Sequence, residues 1–419
     1  YLLKDSTMKN YDVCIIGAGI IGLSIAWQLA RRSTLKILVL EKGAGVGEGS
    51  TGASSAVCRF RYSLDEMVNL ARDGIYAYRD WQSFTGLAEP RARFQEEGVL
   101  WMPGSDKAWA DKEHVRMQRF GIPTEVLDNA AMKERFPSLN TCTLVPDLDT
   151  GEDHICEGDS RNFFEVEGGY MDPVSAAQDL VDACREQGVD ILFKSRVIDI
   201  ATRGGQVESV SLGNGDTIST PLVINASGPW CQQLFKAVGL NVPWDLSVVR
   251  IQVLYRDLPE ELQGDLPVTI DMEGGIYFRT QNRGQQLIVS SVLEEDERES
   301  VADPDNFSLV HDEEFEHLKL HLLHHRLPGL PYRGKIRGYC GLYTVNRDDV
   351  HPILGPTEIE GFWVANGFSG HGFKLAPAIG SMIAQSICNE KRDFDTSVPL
   401  SFFAIDRRPI DIKAKSVLA

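Results

Sequence analysis

The hydrophobic pattern is most informative near the start of the chain, where two buried runs enclose a glycine-rich turn and a helix. Residues 13–16 form an uninterrupted apolar run of strand length, and residues 37–40 form a second one. Between them, Gly17, Gly19 and Gly22 follow the G-x-G-x-x-G spacing at the start of an apolar helical stretch. This order of strand, glycine turn, helix and strand predicts a βαβ unit that binds a dinucleotide.

Each glycine of this motif has a physical role in holding a nucleotide. Gly17 permits the tight turn, Gly19 lets a pyrophosphate approach the backbone, and Gly22 lets the helix lie close to the strand. The helix N-terminus offers free N–H groups and the positive end of its dipole to the phosphates. Glu41 ends the second strand, 19 residues after Gly22, where a carboxylate can accept the ribose hydroxyls. The alternative is a glycine-rich turn that binds no ligand.

Periodicity along the rest of the chain predicts alternating helical and extended segments. Helices are expected over residues 65–84, 106–120, 129–136, 173–184, 313–325 and 375–387. Strands are expected over residues 98–102, 191–193, 196–203, 206–212, 222–226, 248–255, 268–271, 275–279, 286–292 and 362–366. The alternation between residues 248 and 292 is typical of an antiparallel sheet.

A second glycine-rich turn, over residues 367–374, links a buried strand to an apolar helix near the end of the chain. Because a strand-turn-helix unit lies at each end, we expect the ends to join in one discontinuous domain. The predicted fold class is α/β (α+β), with a Rossmann-like domain and a substrate domain on an antiparallel sheet. The first domain is assigned residues 8–85, 168–242 and 336–400, the second residues 86–167 and 243–335, and a C-terminal tail residues 401–419. Residues 1–7 are interpreted as an extension before a natural start at Met8.

Three polar stretches have uncertain roles on sequence grounds. The acidic, irregular residues 140–167 are interpreted as a solvated loop, with a lid over a pocket as the alternative. The charge run 294–299 is expected to be solvated. His321, His324 and His325 have no acid or cysteine nearby at ligand spacing, so no metal site is expected.

Composition then limits the classes of partner. The chain of 419 residues is 43% hydrophobic and 24% charged, which suits a globular protein with a large core. A net charge of −18 argues against binding nucleic acid or an anionic membrane through a general basic surface. An anionic substrate in a locally positive pocket stays possible. The eight scattered cysteines fit a reducing, cytoplasmic location, and no apolar run approaches a membrane span.

Two cations stand beside the glycine-rich segments. Arg59 follows the glycine- and serine-rich loop 43–55, and Lys374 closes the second glycine turn. Both could therefore face one pocket, where the arginine would hold a carboxylate by two parallel hydrogen bonds and the lysine would add a point charge. The alternative is that each cation pairs with a surface acid.

These motifs together resemble the glycine/D-amino-acid oxidase (DAO) family of FAD flavoproteins, in particular the branch with monomeric sarcosine oxidase and dimethylglycine dehydrogenase. The resemblance covers nearly the whole chain and rests on the opening motif with Glu41 and on residues 169–173, 225–230 and 367–374. It implies a FAD-binding domain of the glutathione-reductase type, with the flavin ring between the two domains. The helix N-terminus at residues 367–372 would stabilise negative charge on the flavin.

The resemblance also implies a set of site residues. Substrate contacts are expected from Arg59 and Lys374, which match the carboxylate-binding pair of the branch, and from Tyr343, which matches a pocket tyrosine. Contacts to FAD are expected from Gly17, Gly19, Ile20, Ile21, Gly22, Glu41, Lys42, Ser50, Thr51, Ser54, Ser55, Ala56, Val197, Ala226, Ser227, Gly228, Trp230, Gly341, Gly370, His371, Gly372, Phe373 and Lys374.

Two departures from the sarcosine oxidases change the expected chemistry. Those enzymes attach flavin through a cysteine at the position of Gly341, and Cys340 is one residue out of register, so non-covalent FAD is expected. They also carry a lysine over the flavin that helps oxygen react, whereas this chain has no lysine between Lys236 and Lys319. Fast oxidase activity is therefore not expected, unless another cation such as Arg279 substitutes.

The resemblance implies an FAD-dependent oxidoreductase that acts on a small carboxylate-bearing amine. Sarcosine, dimethylglycine, iminodiacetate and cyclic imino acids are the favoured substrate types. Hydride transfer to flavin N5 would give an imine that hydrolyses, and oxygen or another acceptor would take the electrons. Two alternatives are kept: an FAD-dependent 2-hydroxy-acid dehydrogenase, and a non-catalytic flavoprotein that serves as an assembly factor.

Overall fold

The computed structural model describes residues 9–152, 154, 159–264, 266–412 and 415–418, and the apolar runs of the sequence form regular elements within these ranges. The α-helices are α1 (Ile20–Ala30), α2 (Asp65–Arg79), α3 (Trp81–Thr85), α4 (Lys107–Gln118), α5 (Asn129–Arg135), α6 (Pro173–Glu186), α7 (Cys231–Ala237), α8 (Glu313–Arg326) and α9 (Gly372–Cys388). Short 3₁₀ turns cover Gly228–Trp230, Glu260–Leu262, Glu294–Glu297 and Leu400–Phe403.

The β-strands within the same ranges vary in length from 2 to 12 residues. They are β1 (Lys9–Asn10), β2 (Val13–Ile16), β3 (Ile37–Leu40), β4 (Val57–Cys58), β5 (Val99–Met102), β6 (Thr124–Asp128), β7 (Arg161–Glu165), β8 (Gly169–Tyr170), β9 (Asp190–Leu192), β10 (Val197–Arg203), β11 (Gln206–Leu212), β12 (Thr217–Ser219), β13 (Val223–Asn225), β14 (Leu246–Asp257), β15 (Val268–Asp271), β16 (Ile276–Gln281), β17 (Gln286–Ser291), β18 (Arg337–Asn346), β19 (Ile353–Pro356) and β20 (Phe362–Asn366).

The buried runs from both ends of the chain meet in one six-stranded sheet. Its strand order is β19-β20-β13-β2-β3-β9, parallel except for β19, which runs antiparallel to β20. All four residues of β2 and all four of β3 are buried, because helices and a small second sheet cover the two faces. The predicted α/β fold class is confirmed.

The middle of the chain forms a mixed eight-stranded sheet. Its strand order is β18-β14-β17-β16-β15-β5-β7-β6, and only the β15–β5 pair is parallel. β18, which the sequence analysis assigned to the nucleotide-binding domain, pairs along its whole length with β14 in this sheet. The boundary at residue 336 therefore separates a strand from the sheet to which it belongs, while the division into two domains stays a prediction.

Several helix bounds differ from the periodic pattern. The helix predicted over residues 65–84 ends at Arg79 and restarts at Trp81, because Asp80 has non-helical angles (φ −111°, ψ 51°). The last helix begins at Gly372 rather than Leu375, which moves Lys374 into its first turn. These differences follow from packing that a hydrophobic period alone does not record.

The polar stretches have mixed outcomes. Glu297, in the charge run expected to be solvated, is buried with 4% of its surface exposed, so that expectation is wrong for this residue. Within the described ranges no group of three or more His, Cys, Asp or Glu side chains could hold a metal. Of the acidic stretch, residues 153 and 155–158 lie outside the described residues, as do residues 1–8, and the lid hypothesis stays open. None of the described helices combines the length and apolar character needed to cross a membrane.

Candidate active site

A deep cleft lies between the six-stranded sheet and the eight-stranded sheet. Both glycine-rich turns line it, as do Arg59 and Tyr343. The expected cofactor residues that line it are Gly17, Gly19, Ile20, Ile21, Glu41, Lys42, Ser50, Thr51, Ser54, Ser55, Val197, Ala226, Ser227, Gly228, Trp230, Gly341, Gly370, Gly372, Phe373 and Lys374. One cleft therefore collects residues from the first fifty positions and from the last fifty.

Three of the expected cofactor residues do not line this cleft. A Cβ at Gly22 would lie 2.0 Å from the backbone oxygen of Gly17, so this glycine permits close packing behind the turn. Ala56 is buried in a left-handed conformation with φ 52°. His371 is buried against the Tyr62 ring, with 5.2 Å between ring centroids, and its burial lowers the pKa of the imidazole. These three residues therefore pack behind the residues that line the cleft.

Backbone N–H groups define the end of the cleft beside the first glycine turn. The Glu41 carboxylate accepts hydrogen bonds from the N–H of Ala18 at 2.9 Å and of Gly43 at 2.7 Å. The N–H of Ile20, at the start of α1, donates to the Thr51 hydroxyl at 3.0 Å. A carboxylate and a helix N-terminus thus lie side by side, as a nucleotide ribose and its phosphates require.

One acid, Asp305, lies at this end of the cleft, in the loop that precedes α8. Asp305 accepts hydrogen bonds from Lys42 at 2.6 Å, Arg196 at 2.8 Å and Trp230 at 3.0 Å. The Lys42 ammonium also lies 3.4 Å from the centroid of the Trp230 ring. Sequence analysis missed Asp305, because its three partners are far from it along the chain.

Two buried cations mark the other end of the cleft. Arg59 and Lys374 have only 3% and 5% of their surfaces exposed. Burial, and then the nearby charge of Arg59, lower the pKa of Lys374 to about 7. The Arg59 guanidinium lies 4.2 Å from the centroid of the Tyr62 ring and donates to the backbone carbonyls of Arg61 and Val417. The fold thus brings together the two cations that the sequence analysis paired.

Packing against α2 fixes the position of Lys374. Gly74 of α2 approaches α9 so closely that a Cβ there would lie 2.3 Å from the Lys374 carbonyl oxygen. Pro377 has no N–H to donate to the carbonyl of Phe373, four residues earlier, and the Tyr78 hydroxyl donates to that carbonyl instead at 2.7 Å. The first turn of α9 is therefore held from outside the helix.

The eight-stranded sheet supplies the remaining wall. Ile251, Ile270, Tyr277 and Val292 line it beside Tyr343, and the hydroxyl of Tyr343 donates to the Glu297 carboxylate at 2.8 Å. The C-terminal segment, which we define as residues 415–418, reaches the same wall through Val417 and Leu418. No motif or period in the sequence pointed to Glu297 or to this segment.

Arg279, the cation considered as a substitute for the missing lysine, lies outside the cleft lining, as do Arg61 and Arg250. Arg250 pairs with Glu299 and Asp312, and Arg279 donates to the Ser55 carbonyl at 2.7 Å. Arg61 donates to the Leu418 carbonyl at 2.8 Å.

One lysine reaches the cleft wall from a helix rather than from a strand. Lys319 of α8 is fully buried and forms an ion pair with Asp296 at 2.7 Å. Its ammonium also lies 3.1 Å from the hydroxyl of Ser291, a lining residue. The slow reaction with oxygen expected from the sequence stays a prediction.

The parallel sheet, its glycine turn and the adjoining cleft define a dinucleotide-binding oxidoreductase fold. The chain belongs to the DAO family of FAD-dependent oxidoreductases, whose family model matches residues 12–386. It is therefore an FAD-dependent oxidoreductase, as the resemblance of its motifs implied.

Known proteins are similar to this chain in sequence or in fold. The FAD-dependent oxidoreductase domain-containing protein 1 of Xenopus laevis is 25% identical over 91% of this chain and 80% of its own length. The mitochondrial dimethylglycine dehydrogenase of Homo sapiens is 24% identical over 92% of this chain but only 43% of its own length. The crystal structure of L-proline dehydrogenase from P. horikoshii has a TM-score of 0.80 at 22% identity, covering 95% of this chain and 97% of that one.

Proposed function

We propose that this enzyme oxidises a small N-alkyl amino acid of the sarcosine, dimethylglycine, iminodiacetate or cyclic imino acid type. The observation that carries the proposal is the pair of buried cations, Arg59 and Lys374, in the same cleft as the nucleotide-binding turn. Two cations sheltered from water form charge-assisted hydrogen bonds with one carboxylate. The names of two similar proteins, dimethylglycine dehydrogenase and L-proline dehydrogenase, favour an N-alkylated amino acid.

The residues of the cleft fit FAD. The turn after β2 has no room for a side chain at Gly17, because an added Cβ would lie 2.5 Å from the Ala226 carbonyl oxygen. We therefore expect the backbone of this turn to contact the ligand directly. We assign the ribose to Glu41 and the pyrophosphate to the first turn of α1, and we assign the flavin end to Gly341 and the first turn of α9. The chemistry that FAD supplies when bound is acceptance of a hydride from the carbon beside the amine nitrogen.

The chain's own residues would orient the substrate for that reaction. Arg59 and Lys374 bind the carboxylate and so set the distance of the reacting carbon from the cofactor. The apolar residues Ile251, Ile270 and Val292 exclude water from the same space. Tyr343 offers its hydroxyl oxygen from the opposite wall.

Anaerobic titration of the yellow protein tests the proposal against its alternatives. A panel of N-alkyl amino acids, primary amino acids and 2-hydroxy acids is added, and the loss of flavin absorbance is followed. We expect N-alkyl amino acids to bleach the flavin at the lowest concentrations. Bleaching by hydroxy acids alone would favour a 2-hydroxy-acid dehydrogenase, and no bleaching by any compound would favour the non-catalytic alternative.

We expect FAD to be bound without a covalent link. Gly341 lines the cleft, and its neighbour Cys340 points to the other face of β18 because side chains alternate along a strand. Cys340 also lies near the guanidinium of Arg250, which is not part of the cleft lining. Acid precipitation should release all the yellow colour into the supernatant. Colour retained in the pellet and lost in Cys340→Ser would contradict this prediction.

Replacing Glu41 by alanine should weaken FAD binding by roughly 1–3 kcal/mol, the range for losing a partner in charged hydrogen bonds. The carboxylate also holds the N–H groups of Ala18 and Gly43, so its loss loosens the turn as well as the ribose contact. The affinity is measured by titrating apoprotein with FAD and following flavin fluorescence. Glu186→Ala, which changes an exposed acid of α6 outside the cleft lining, is the control. Equal affinity of the parent protein and Glu41→Ala would refute the assignment.

A further inference from the structure

One residue of the C-terminal segment, Val417, lies between Arg59 on the cleft lining and Glu297, a buried acid that is hydrogen-bonded to the lining residue Tyr343. The backbone carbonyl of Val417 accepts a hydrogen bond from Arg59, and its backbone N–H faces the Glu297 carboxylate and favours the ionised form. The side chain of Val417 packs beside Gly370, where a glycine Cβ would lie 3.0 Å from a Val417 methyl group. The N–H and the carbonyl group of Val417 thus lie at opposite sides of the same space.

The bridging atoms have the framework of an α-amino acid. In Val417, as in a free amino acid, one carbon separates a nitrogen that carries hydrogen from a carbonyl carbon. The carbonyl oxygen lies on the cation that we assign to the substrate carboxylate. The nitrogen therefore marks where the amine of a bound amino acid would lie, which is on Glu297.

Glu297 is built into the wall rather than exposed on the surface. It has 4% of its surface exposed, although it belongs to a run of four acids, Glu294–Glu297. Tyr343 donates to its carboxylate at 2.8 Å, and Arg347 donates to its backbone carbonyl at 2.8 Å. Because the only proton of the Tyr343 hydroxyl is given to Glu297, the hydroxyl oxygen can only accept a hydrogen bond from a ligand.

We propose that Glu297 and Tyr343 form the amine-binding end of the substrate site, and that the Val417 backbone occupies the position of the substrate in this structure. The proposal rests on the proposed function, because it takes Arg59 as the carboxylate-binding end. Substrate binding then requires the C-terminal segment to leave the cleft.

The same pair provides a place for the amine proton. Amino acids arrive as zwitterions, and the protonated nitrogen has no lone pair to assist hydride loss. The ammonium proton passes to the oxygen of Tyr343 while the Tyr343 proton passes to the Glu297 carboxylate. This leaves a neutral amine, an intact tyrosine and a protonated Glu297, so charge and protons balance.

The acidity of Glu297 suits this role. Burial, opposed by the Tyr343 hydrogen bond and by the N–H of Val417, raises the pKa of Glu297 to about 7. The other charged groups that act on its carboxylate are Arg347, which directly follows β18, and Glu294 on the same turn as Glu297. Above about pH 7 the carboxylate is ionised and attracts an ammonium group, and below it the attraction is lost.

Binding of two ligands of equal shape tests the proposal without turnover. Trimethylglycine and 3,3-dimethylbutanoate differ only in a positively charged nitrogen replacing a carbon, and glycine and propionate repeat the comparison at a smaller size. Affinities are measured by calorimetry on the anaerobic holoenzyme. At pH 8.5 the parent should bind the charged member of a pair about 10-fold or more tightly, as expected for a contact between charges.

Variants distinguish the role of Glu297 in ligand binding from that of Arg59. Glu297→Gln should abolish the preference within each pair, Tyr343→Phe should reduce it, and the control Glu294→Gln should keep it. In the parent the preference should fall as the pH falls through about 7. Arg59→Ala should weaken both members of a pair equally. Deleting residues 413–419 should tighten both members and keep the preference.

The outcomes distinguish this proposal from the proposed function. If neither ligand depends on Arg59, the carboxylate assignment fails and the function with it. If both depend on Arg59 but the parent has no preference, binds no pair, or keeps its preference in Glu297→Gln, only the amine-binding end is wrong. Unchanged affinities after removal of residues 413–419 would contradict the substrate-like position of Val417. Melting temperature and FAD content verify that each variant is folded.

Discussion

Arg59→Ala and Lys374→Ala are each expected to lower kcat/KM on the order of 10²-fold or more, with FAD content unchanged. A charged contact is worth up to about 3 kcal/mol, which corresponds to this factor. Because the cations also set the distance of the reacting carbon from the cofactor, kcat should fall as well as the affinity. The fold should survive in Arg59→Ala, since Glu165, the acid beside Arg59, keeps three N–H donors from Phe60, Arg61 and Trp101.

The two alanine variants should respond differently to pH. Burial, and then Arg59, lower the pKa of Lys374 to about 7 in the ligand-free protein. The parent therefore loses this positive charge as the pH rises through about 7. The defect of Lys374→Ala relative to the parent should be largest below that pH and should shrink above it. The defect of Arg59→Ala should persist at high pH, because a guanidinium keeps its proton there.

Controls for this experiment come from the substrate and from the chain. An esterified substrate should be poor for the parent and nearly indifferent to both variants. Arg59→Lys should rescue only in part, because lysine lacks the planar fork of arginine. Arg72→Ala, on the surface of α2, should have parental kinetics. Parental rates in both alanine variants would refute the carboxylate role, and Arg61, which already donates to the C-terminal segment, would be tested next.

Gly22→Ala should destabilise the protein and strip it of FAD. The added methyl group would lie 2.0 Å from the carbonyl oxygen of Gly17, a backbone atom that cannot rotate away. Forcing extra volume into such a contact costs about 1–3 kcal/mol and moves the start of α1 away from the turn. The free energy of unfolding in urea and the ratio of FAD to protein after dialysis measure the two effects.

Gly213→Ala is the matched control for this substitution. The nearest atom to a Cβ at Gly213 is 3.7 Å away, so both measured quantities should equal those of the parent. If Gly22→Ala also retains parental stability and a full complement of FAD, the close packing at this glycine does not support the cofactor site.

Local sequence patterns predicted the nucleotide end of the molecule. β2, the glycine turn, α1 and β3 are contiguous along the chain, so residues near in sequence become neighbours in space. Glu41 and the glycines could be assigned for the same reason. The second glycine turn, at residues 367–374, could be predicted for the same reason, because its strand, turn and helix are also contiguous along the chain. The resemblance of these motifs then gave the family.

Only the tertiary structure identified the residues around the opposite wall of the cleft. The sequence analysis looked for a lysine only in the strands expected to face the flavin. It therefore missed Lys319, which approaches Ser291 from helix α8. Asp305 was missed because its partners Lys42, Arg196 and Trp230 come from three separate segments. The sequence analysis predicted no strand over residues 337–346, and only the pairing with β14 shows that β18 belongs to the eight-stranded sheet.

Glu297 and Val417 mark this difference between sequence and structure most clearly. By sequence, Glu297 is one acid in a charge run, and Val417 is an ordinary apolar residue of a C-terminal segment. Glu297 and Val417 are 120 positions apart in the sequence, yet the Val417 N–H faces the Glu297 carboxylate in the fold. Sequence therefore predicted the nucleotide site and the two cations. Long-range packing decided that Glu297 is buried behind Tyr343, because the burial of a charged side chain depends on what packs over it.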